Sequence, residues 1–366
     1  MKNVLVVCAD YPEGNKRSLA YVHARNLRYI KNGINVIVLN FSAKREYIYE
    51  GIKVIGLEQY KSNLDLFNNY VLVCHAPNIR NHWIFLKKYA SRFQTKVIIF
   101  HGHEIVMLNK LYPREYIFFK KNFFKRTVRT IYDKFKVYLW KRYILKADNS
   151  FKMIFVSESL LNDFLDLSKI SLQKITCGIN IINNCVGEIF ETYSYNNNAP
   201  KKYDAVTIRT NIDDSVYCID IICEIAKNNP KSNFLLIGKG NYFNYIEKPN
   251  NLKWIKNSMS HEDLISYINS SRIALMPTRR DSQGVMSCEL ATFGIPVITS
   301  DLNVCKEMFA TFKNVRMYSN KDFKRIDIKK ELEAFDENNS EKNEKFLFKD
   351  TILKEIQIIK NEGELL

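Results

Sequence analysis

Residues 272–309 contain the feature that most restricts the fold of this 366-residue chain. An apolar run at 272–276 ends at a proline and predicts a buried parallel strand. A polar turn follows, and Gly284 begins a predicted helix over 285–293 that a second glycine ends. Another apolar run, 297–299, predicts the next strand. A strand, a helix and a strand in this order are typical of an α/β domain built on a parallel sheet.

Two carboxylates, Asp281 and Glu289, lie on either side of the start of this helix. The backbone N–H groups of Gly284, Val285 and Met286 predict a site for a diphosphate, and glycine lets the backbone approach it closely. Carboxylates beside a phosphate accept hydrogen bonds from sugar hydroxyls. We therefore predict a nucleotide-sugar pocket, with Glu289 on the ribose diol and Asp281 on the donor sugar. The alternative is a surface aspartate and a helix-face glutamate in an ordinary βαβ unit.

This stretch resembles the acidic motif of retaining family-4 glycosyltransferases, in which seven residues separate two acids and a G-x-P-V strand follows. Asp281 stands where the family usually has Glu, and Gln283 replaces a common aromatic residue. The wording D-S-Q-G-V-M-S-C-E is similar to that of bacterial polysaccharide-assembly members. The resemblance implies an α/β protein of the GT-B fold, with two Rossmann-like doubly wound domains facing each other across a cleft. It also implies a retaining hexosyltransferase, with Gln283 among its donor-binding residues.

The amino-terminal residues show the same alternation of elements. Apolar runs at 3–8 and 34–40 predict strands, and helical periodicity over 18–32 predicts the helix between them. These elements form one βαβ unit at the start of a doubly wound sheet. The loop after the first strand contains Gly14, where the resemblance implies an acceptor or phosphate contact.

A cluster of titratable residues follows the predicted strand at 96–101. Ligands of open α/β sheets bind at the carboxyl ends of the strands, so His101, His103 and Glu104 are candidate site residues. In the family that the motif resembles, a histidine at the place of His101 contacts the donor sugar. His103 and Glu104 are candidates for the acceptor side. The alternative for His101 is a capped strand end, and a zinc site is not expected because no third ligand has suitable spacing.

The second half of the chain contains a candidate phosphate clamp. Arg209 ends a predicted strand at 204–208, and a guanidinium there would bind the diphosphate and offset charge on the leaving group. Family members often carry a lysine about five residues later, but this chain has Asp213 and Asp214 in that region. We find no D-x-D metal signature, so neither a divalent cation nor another cofactor is expected. The cations that we consider as replacements are Lys239, a donor-binding candidate, and Arg279 and Arg280.

The pattern predicts the following domain organisation. Residues 1–190 form an acceptor-side Rossmann-like domain, and a polar, asparagine-rich stretch at 191–202 serves as the linker. Residues 203–345 form the nucleotide-sugar donor domain. By resemblance, 346–366 form a terminal helix that crosses back to the first domain.

The net charge of +16 is confined to the first half of the chain. Residues 1–190 hold 30 Lys and Arg against 14 Asp and Glu, whereas 191–366 hold 25 of each. This asymmetry indicates an anionic partner for the first domain.

Residues 114–146 are basic and aromatic, and we predict a helix there that contacts an anionic membrane surface. Its apolar stripe is expected to pack, and its cationic ridge to face lipid; the alternative is a core helix with solvated cations. The stripe is Phe124, Val128, Ile131, Phe135 and Leu139, and the ridge is Lys121, Lys125 and Arg129.

The expected partners are a nucleotide sugar donor, a saccharide or lipid-linked saccharide acceptor and an anionic membrane surface, without nucleic acid. Because no run is apolar enough to span a membrane and no signal peptide is evident, we expect a cytoplasmic enzyme, peripheral on the inner face of the cell membrane. Two alternatives remain open. One is a sugar-nucleotide epimerase or hydrolase of the same fold, and the other is a non-catalytic polyanion- or membrane-binding protein.

Overall fold

The computed structural model describes residues 2–14, 16, 18–119, 123–257, 259–335 and 342–361. Its chain forms two compact units. The first unit consists of Met1–Leu108, Thr130–Asn183 and Thr351–Leu366. The second unit consists of Asn109–Arg129 and Asn184–Asp350.

These units differ from the predicted domains in three segments, 109–129, 184–190 and 346–350, which belong to the second unit, as does the predicted linker at 191–202. Long-range hydrogen bonds explain the difference. The hydroxyl of Tyr116 donates to Asp220 Oδ1 at 2.8 Å, and the N–H of Gly187 donates to Glu289 Oε1 at 3.0 Å. A boundary drawn from local polarity cannot detect bonds to residues about a hundred positions away.

The described residues of the first unit form an eight-stranded sheet in the order β3-β4-β2-β1-β5-β6-β7-β8. All neighbouring strands are parallel except β3 and β4. The sequence starts in the middle of the sheet and proceeds to both edges, which is the doubly wound arrangement. The strands are β1 (Lys2–Cys8), β2 (Ile34–Asn40), β3 (Tyr47–Tyr49), β4 (Ile52–Ile55), β5 (Val71–His75), β6 (Lys96–Phe100), β7 (Phe151–Phe155) and β8 (Gly178–Ile181).

The described residues of the second unit form a six-stranded parallel sheet in the order β11-β10-β9-β12-β13-β14. Strands β9 and β12 are neighbours where the strand order reverses, which is where open α/β sheets bind ligands. The doubly wound α/β class predicted for both halves is therefore confirmed. The strands are β9 (Tyr203–Asn211), β10 (Phe234–Lys239), β11 (Leu252–Ile255), β12 (Ser271–Met276), β13 (Val297–Ser300) and β14 (Val315–Tyr318).

Helices connect the strands in both units, and the helix predicted over 285–293 is confirmed at those bounds. The helices are α1 (Ala20–Lys31), α2 (Leu57–Ser62), α3 (His82–Tyr89), α4 (Leu108–Leu111), α5 (Phe123–Ile144), α6 (Glu158–Ser168), α7 (Glu188–Thr192), α8 (Ile219–Asn228), α9 (His261–Asn269), α10 (Val285–Phe293), α11 (Asn303–Phe309), α12 (Asn320–Phe323), α13 (Ile328–Ala334) and α14 (Ile352–Lys360).

The second sheet is buried on both faces. Successive side chains of a strand point to opposite faces, so Val206 and Ala205 of β9 belong to two different hydrophobic clusters. The same alternation along β12 places Ala274 in one cluster and Ile273 in the other. Helices cover each face, which is why the strands read as continuous apolar runs in the sequence. This rigid sheet fixes the positions of the loops at its carboxyl edge.

Helix α14 belongs to the first unit, where it packs against α1. The buried guanidinium of Arg25 donates to both carboxylate oxygens of Glu355 at 2.8–3.1 Å. The hydroxyl of Tyr29 donates to the same carboxylate at 2.7 Å. A buried charge pair with this many hydrogen bonds is satisfied internally, so the end of the chain is held against its beginning.

Helix α5 differs from the sequence-based prediction in the direction that its apolar stripe faces. The stripe was expected to pack, but Phe124, Val128, Ile131 and Phe135 are exposed, and Leu139 is half-buried. In the ridge, Lys125 is exposed and Arg129 is half-buried, while Lys121 lies outside the described residues. Among the described residues, no helix combines the length and apolar character that crossing a bilayer requires.

Candidate functional site

The turn before α10 is organised by Asp281. Its Oδ1 accepts hydrogen bonds from the backbone N–H groups of Ser282 at 2.8 Å, Gln283 at 3.2 Å and Gly284 at 2.8 Å. The N–H of Gly284, predicted to bind a diphosphate, therefore already has an acceptor within the chain. Gly284 itself has φ of 77°, a left-handed conformation that favours glycine. Asp281 consequently closes this turn as well as being half-exposed for contact with a ligand.

The first turn of α10 retains donors beyond Gly284. The backbone N–H groups of Val285 and Met286 have no hydrogen-bond acceptor among the described residues. Val285 itself is exposed. Two unsatisfied amides at the positive end of a helix dipole favour an anion.

Arg209 lies at the carboxyl end of β9 and is only 7% exposed. Its Nη2 donates to the carbonyl of Pro277 at 2.6 Å, and its guanidinium lies 5.1 Å from the centre of the Tyr217 ring. Its Nε–H has no hydrogen-bond partner among the described residues. Burial lowers the pKa of Arg209, and the nearby charge of Asp281 opposes that shift. A buried cation with an unsatisfied donor is a good partner for an anionic ligand.

Glu289 is buried on the inner side of α10. Its Oε1 accepts the N–H of Gly187 at 3.0 Å and lies 3.9 Å from Nε2 of His261. Burial raises the pKa of Glu289, while His261 and the Gly187 amide oppose the shift. A Cβ atom at residue 187 would lie 2.7 Å from Nδ1 of His261, which is too close for a side chain. Only glycine therefore lets the backbone at 187 lie this close to the His261 ring. Glu289 therefore has a fixed orientation, set by residues on two other segments.

Gln283, a predicted donor contact, is hydrogen-bonded to Asn184 within the second unit. Its Oε1 accepts the N–H of Asn184 at 2.6 Å, and its Nε2 donates to the carbonyl of Asn184 at 2.9 Å. Both ends of the amide are thus used to hold the segment that precedes α7. The role of Gln283 as a donor contact stays a prediction.

The candidate replacement cations have different surroundings. The side chain of Lys239 is exposed at the end of β10. Arg279 binds Asp220 through two hydrogen bonds, at 3.0 and 2.5 Å, and donates to the carbonyl of Ser215 at 2.6 Å. These bonds hold the Arg279 guanidinium against Asp220 and Ser215. Arg280 is half-buried, and burial lowers its pKa.

In the first unit, His101 lies beside a second buried histidine. Nδ1 of His75 is 3.5 Å from Nε2 of His101, and the ring of Tyr21 contacts His101 edge-on at 5.0 Å. Burial lowers the pKa of His75 well below its usual value, with a contribution from the adjacent His101 and from Arg25. His75 is therefore neutral at ordinary pH, and one ring nitrogen of the pair can act as donor to the other.

The loop after His101 is held by backbone contacts. Glu104 Oε2 accepts the N–H of Gly102 at 2.6 Å, and burial raises the pKa of the Glu104 carboxyl. The side chain of His103 is exposed, and its carbonyl accepts Nζ of Lys136 at 2.6 Å. Gly14 is exposed in a separate tight turn, with φ of 55°. Each of these residues therefore lies on a loop at the carboxyl edge of the first sheet.

Sequence reasoning did not identify Gly187, Tyr217, His261 or His75. Gly187 and His261 carry no local motif, and only the folded chain brings them to Glu289. His75 had a usable signal, because it ends an apolar strand as His101 follows the next one. Among the described residues, no group of three or more His, Cys, Asp and Glu side chains could hold a metal ion.

Part of the chain is similar to a known protein family. Residues 214–346 match the family described as glycosyl transferases group 1. No curated protein matches the chain.

Solved structures resemble the whole chain. Sucrose-phosphate synthase from Thermosynechococcus elongatus is similar with a TM-score of 0.66 and 12% identity, over 99% of each chain. WaaG, a glycosyltransferase involved in lipopolysaccharide biosynthesis, is similar with a TM-score of 0.65 and 13% identity, over 98% of this chain and 100% of WaaG. A UDP-forming α,α-trehalose-phosphate synthase from Burkholderia vietnamiensis has a TM-score of 0.65 and 8% identity, over 99% of this chain and 100% of that chain. These similarities show that the fold is GT-B. The match to glycosyl transferases group 1 covers 214–346, within the second unit.

Proposed function

We propose that this chain is a retaining hexosyltransferase that moves a hexose from a nucleotide diphosphate sugar to a saccharide or lipid-linked saccharide acceptor. The acceptor would belong to bacterial surface polysaccharide assembly, such as capsule, O-antigen or exopolysaccharide. The observation that carries the proposal is Arg209, a buried cation whose Nε–H has no partner among the described residues. It lies near the carboxyl end of β9, where the strand order reverses and a diphosphate would bind.

In this proposal, Arg209 and the first amides of α10 bind the diphosphate. As the bond from the anomeric carbon to the diphosphate breaks, negative charge grows on the leaving oxygen, and a fixed cation stabilises it. The acceptor hydroxyl forms the new bond to the anomeric carbon on the same face and passes its proton to the leaving diphosphate oxygen, so no protein nucleophile is needed. Asp281 would position the hexose and Glu289 the ribose. No metal ion or other cofactor is part of the proposal.

The residues of the first unit have proposed roles that rest on the family resemblance. His101 would contact the donor sugar, and Gly14, His103 and Glu104 would line the acceptor side. Lys239 remains the candidate for a second phosphate contact, since its exposed amine is not committed to an ion pair among the described residues. We further propose a cytoplasmic location with peripheral attachment to the inner face of the membrane, in keeping with the basic first half.

The neighbouring proteins support this class of chemistry. WaaG acts in lipopolysaccharide biosynthesis, and another neighbour from E. coli binds UDP-2-fluoro glucose. The donor base and sugar of the present chain are open, so a panel of donors is required.

The test is a transfer assay with labelled UDP-glucose, UDP-galactose and GDP-mannose, with and without a bacterial membrane lipid extract as acceptor. We expect label to enter the extract from one donor, and Asp281→Ala to abolish that transfer. An epimer or free sugar formed at full rate without extract would instead identify an epimerase or hydrolase. Biological activity that survives both Asp281→Ala and Glu289→Ala would identify a binding protein.

A further inference from the structure

Helix α5 buries Val137, Trp140 and Ile144 together with an ion pair on its inner face, and it exposes further apolar side chains on its outer face. Its inner face contains Asp133 and Lys136, which are buried and form a 2.8 Å ion pair. Its outer face contains Ile131 and Phe135, which are 64% and 54% exposed. A soluble helix normally turns its apolar residues toward the core. Contiguous exposed apolar side chains on a helix mark an interaction surface.

The exposed residues form a continuous line, which we call the α5 stripe: Val128, Ile131, Phe135 and Tyr138. Their spacing of three, four and three residues keeps them on one side of a helix. At a rise of about 1.5 Å per residue, the stripe is roughly 15 Å long. Phe124, also exposed, extends the line by one turn. The stripe is therefore long enough to lie along a surface rather than to fill a single small pocket.

Cations border the α5 stripe. Lys125 and Lys134 are exposed, and by helical geometry they lie on opposite margins of the stripe. Arg142 is exposed at its end, where Nη1 donates to the hydroxyl of Tyr138 at 3.2 Å. The one acid of α5, Asp133, is buried, so the outer face is basic without compensation from the helix itself. Apolar residues between cations match the chemistry of an anionic lipid surface, with acyl chains beneath phosphate groups.

We propose that α5 lies flat on an anionic lipid bilayer, with the α5 stripe inserted among the acyl chains and the bordering cations at the phosphates. A second copy of this chain fits the surface less well. Self-association about a two-fold axis would bring the same cationic margins together and oppose like charges. The bilayer satisfies both the apolar and the charged parts of the surface.

The inner face of α5 is hydrogen-bonded to the loop that contains the acceptor-side candidates His103 and Glu104. Nζ of Lys136 donates to the carbonyl of His103 at 2.6 Å, and Asp133 Oδ2 accepts the N–H of Leu108 at 2.8 Å. The helix that contacts lipid on one side therefore holds the loop of the acceptor-side candidates on the other. We infer that the acceptor reaches this loop from the membrane as a lipid-linked saccharide. The lipid contact specifies the peripheral attachment proposed above, and this last step also rests on the proposed transfer reaction.

The test is co-sedimentation of the full chain with vesicles of phosphatidylcholine alone or mixed with phosphatidylglycerol. We expect the wild type to bind the mixed vesicles. The double variant Ile131→Ser/Phe135→Ser should reduce partitioning about tenfold or more, because it removes apolar groups that would be buried in lipid. The matched control Ile48→Ser/Leu66→Ser also changes two exposed apolar residues of the first unit and should bind as the wild type does.

The charged part of the surface has its own variant. Lys134→Gln/Arg142→Gln should reduce binding to the mixed vesicles about tenfold and remove most of its salt dependence. The control Lys169→Gln/Lys174→Gln changes two exposed lysines elsewhere in the first unit and should have a smaller effect.

Two results would overturn the inference. One is equal recovery of the wild type and the Ile131→Ser/Phe135→Ser variant on mixed vesicles. The other is a dimer in sedimentation velocity that this variant dissolves, with no vesicle binding, which would assign the surface to a second copy. Thermal shifts with nucleotide sugars on the same proteins separate this inference from the proposed function. If the wild type binds a nucleotide sugar but no vesicles, only the inference about α5 is contradicted. If it binds vesicles but no nucleotide sugar, only the proposed function is contradicted.

Discussion

Arg209 is a buried cation with one hydrogen-bond donor that has no partner among the described residues. A buried guanidinium costs free energy unless its donors are satisfied and its charge is offset. Here one donor meets the carbonyl of Pro277, and Tyr217 covers the cationic plane. Nε–H is left without a described partner, which a bound diphosphate would supply. The unfavourable free energy of the unsatisfied Arg209 donor in the ligand-free protein would then be relieved when the diphosphate binds, which strengthens binding.

This reasoning gives a prediction for Arg209→Gln. The affinity for the matching nucleoside diphosphate should fall by about 2–3 kcal/mol, because a charge-assisted contact is lost. Without ligand, the variant should melt no lower than the wild type, since an uncompensated buried charge has been removed. Isothermal titration and thermal melting measure the two effects. The exposed Lys239 provides a control, and a Lys239→Gln protein that loses more affinity than Arg209→Gln would contradict the assignment.

Glu289 predicts a dependence of stability on pH. Burial raises its pKa in the folded chain above the usual value of 4.5. For a carboxyl whose folded pKa is raised, the stabilising contribution is present below pH 4.5 and is lost as pH rises through the folded pKa. The wild type should therefore lose stability relative to Glu289→Gln from pH 4.5 upward. Melting temperatures of both proteins across this window measure the effect, and parallel curves would refute it.

At the scale of elements, Gln283 joins α10 to the segment before α7. Gln283→Ala would leave the N–H and the carbonyl of Asn184 without these two hydrogen bonds, at a cost of about 2–3 kcal/mol. Urea unfolding should show this loss, whereas the exposed Val285→Ala should cost under about 1 kcal/mol. If Gln283→Ala instead kept full stability and lost donor binding, the sequence-based role as a donor contact would be supported.

The elements also show what the sequence can and cannot predict. Apolar runs and glycines located β2 and α10 at their observed bounds, because hydrophobic periodicity and helix-ending residues are local properties of the sequence. The short strands β3 and β11 were missed, since three or four residues give no clear period. The apolar periodicity of α5 predicted one apolar face but not what covers it. That depends on tertiary packing, where Trp140 and the Asp133–Lys136 pair occupy the inner side.

For the candidate site, the sequence identified the two carboxylates but not the residues that contact them. The spacing of Asp281 and Glu289 identified two carboxylates near a helix start, which the structure shows at the turn and on the inner side of α10. Their partners were not predictable, because Gly187 and His261 reach Glu289 only through the fold. The N–H of Gly284 was assigned to phosphate because a sequence does not show that Asp281 Oδ1 accepts it first.

At the scale of the whole molecule, the pair Arg25–Glu355 joins residues near the two ends of the chain. Glu355→Ala should destabilise the first unit by about 3–5 kcal/mol, because it leaves a buried arginine unpaired. The double variant Arg25→Met/Glu355→Leu should recover most of that loss, since both charges are removed together. Urea unfolding followed by circular dichroism measures both. Equal destabilisation by the single and double variants would show that packing, not charge, holds α14.

The central claim is that the chain binds a nucleotide diphosphate sugar through Arg209, and thermal shift tests it most directly because no acceptor is needed. The wild type and Arg209→Gln are melted with UDP-glucose, UDP-galactose, GDP-mannose and the corresponding nucleoside monophosphates. We predict that at least one nucleotide sugar raises the melting temperature of the wild type more than its monophosphate does. We further predict that Arg209→Gln loses this rise. No shift with any donor, or an equal shift in both proteins, would contradict the account.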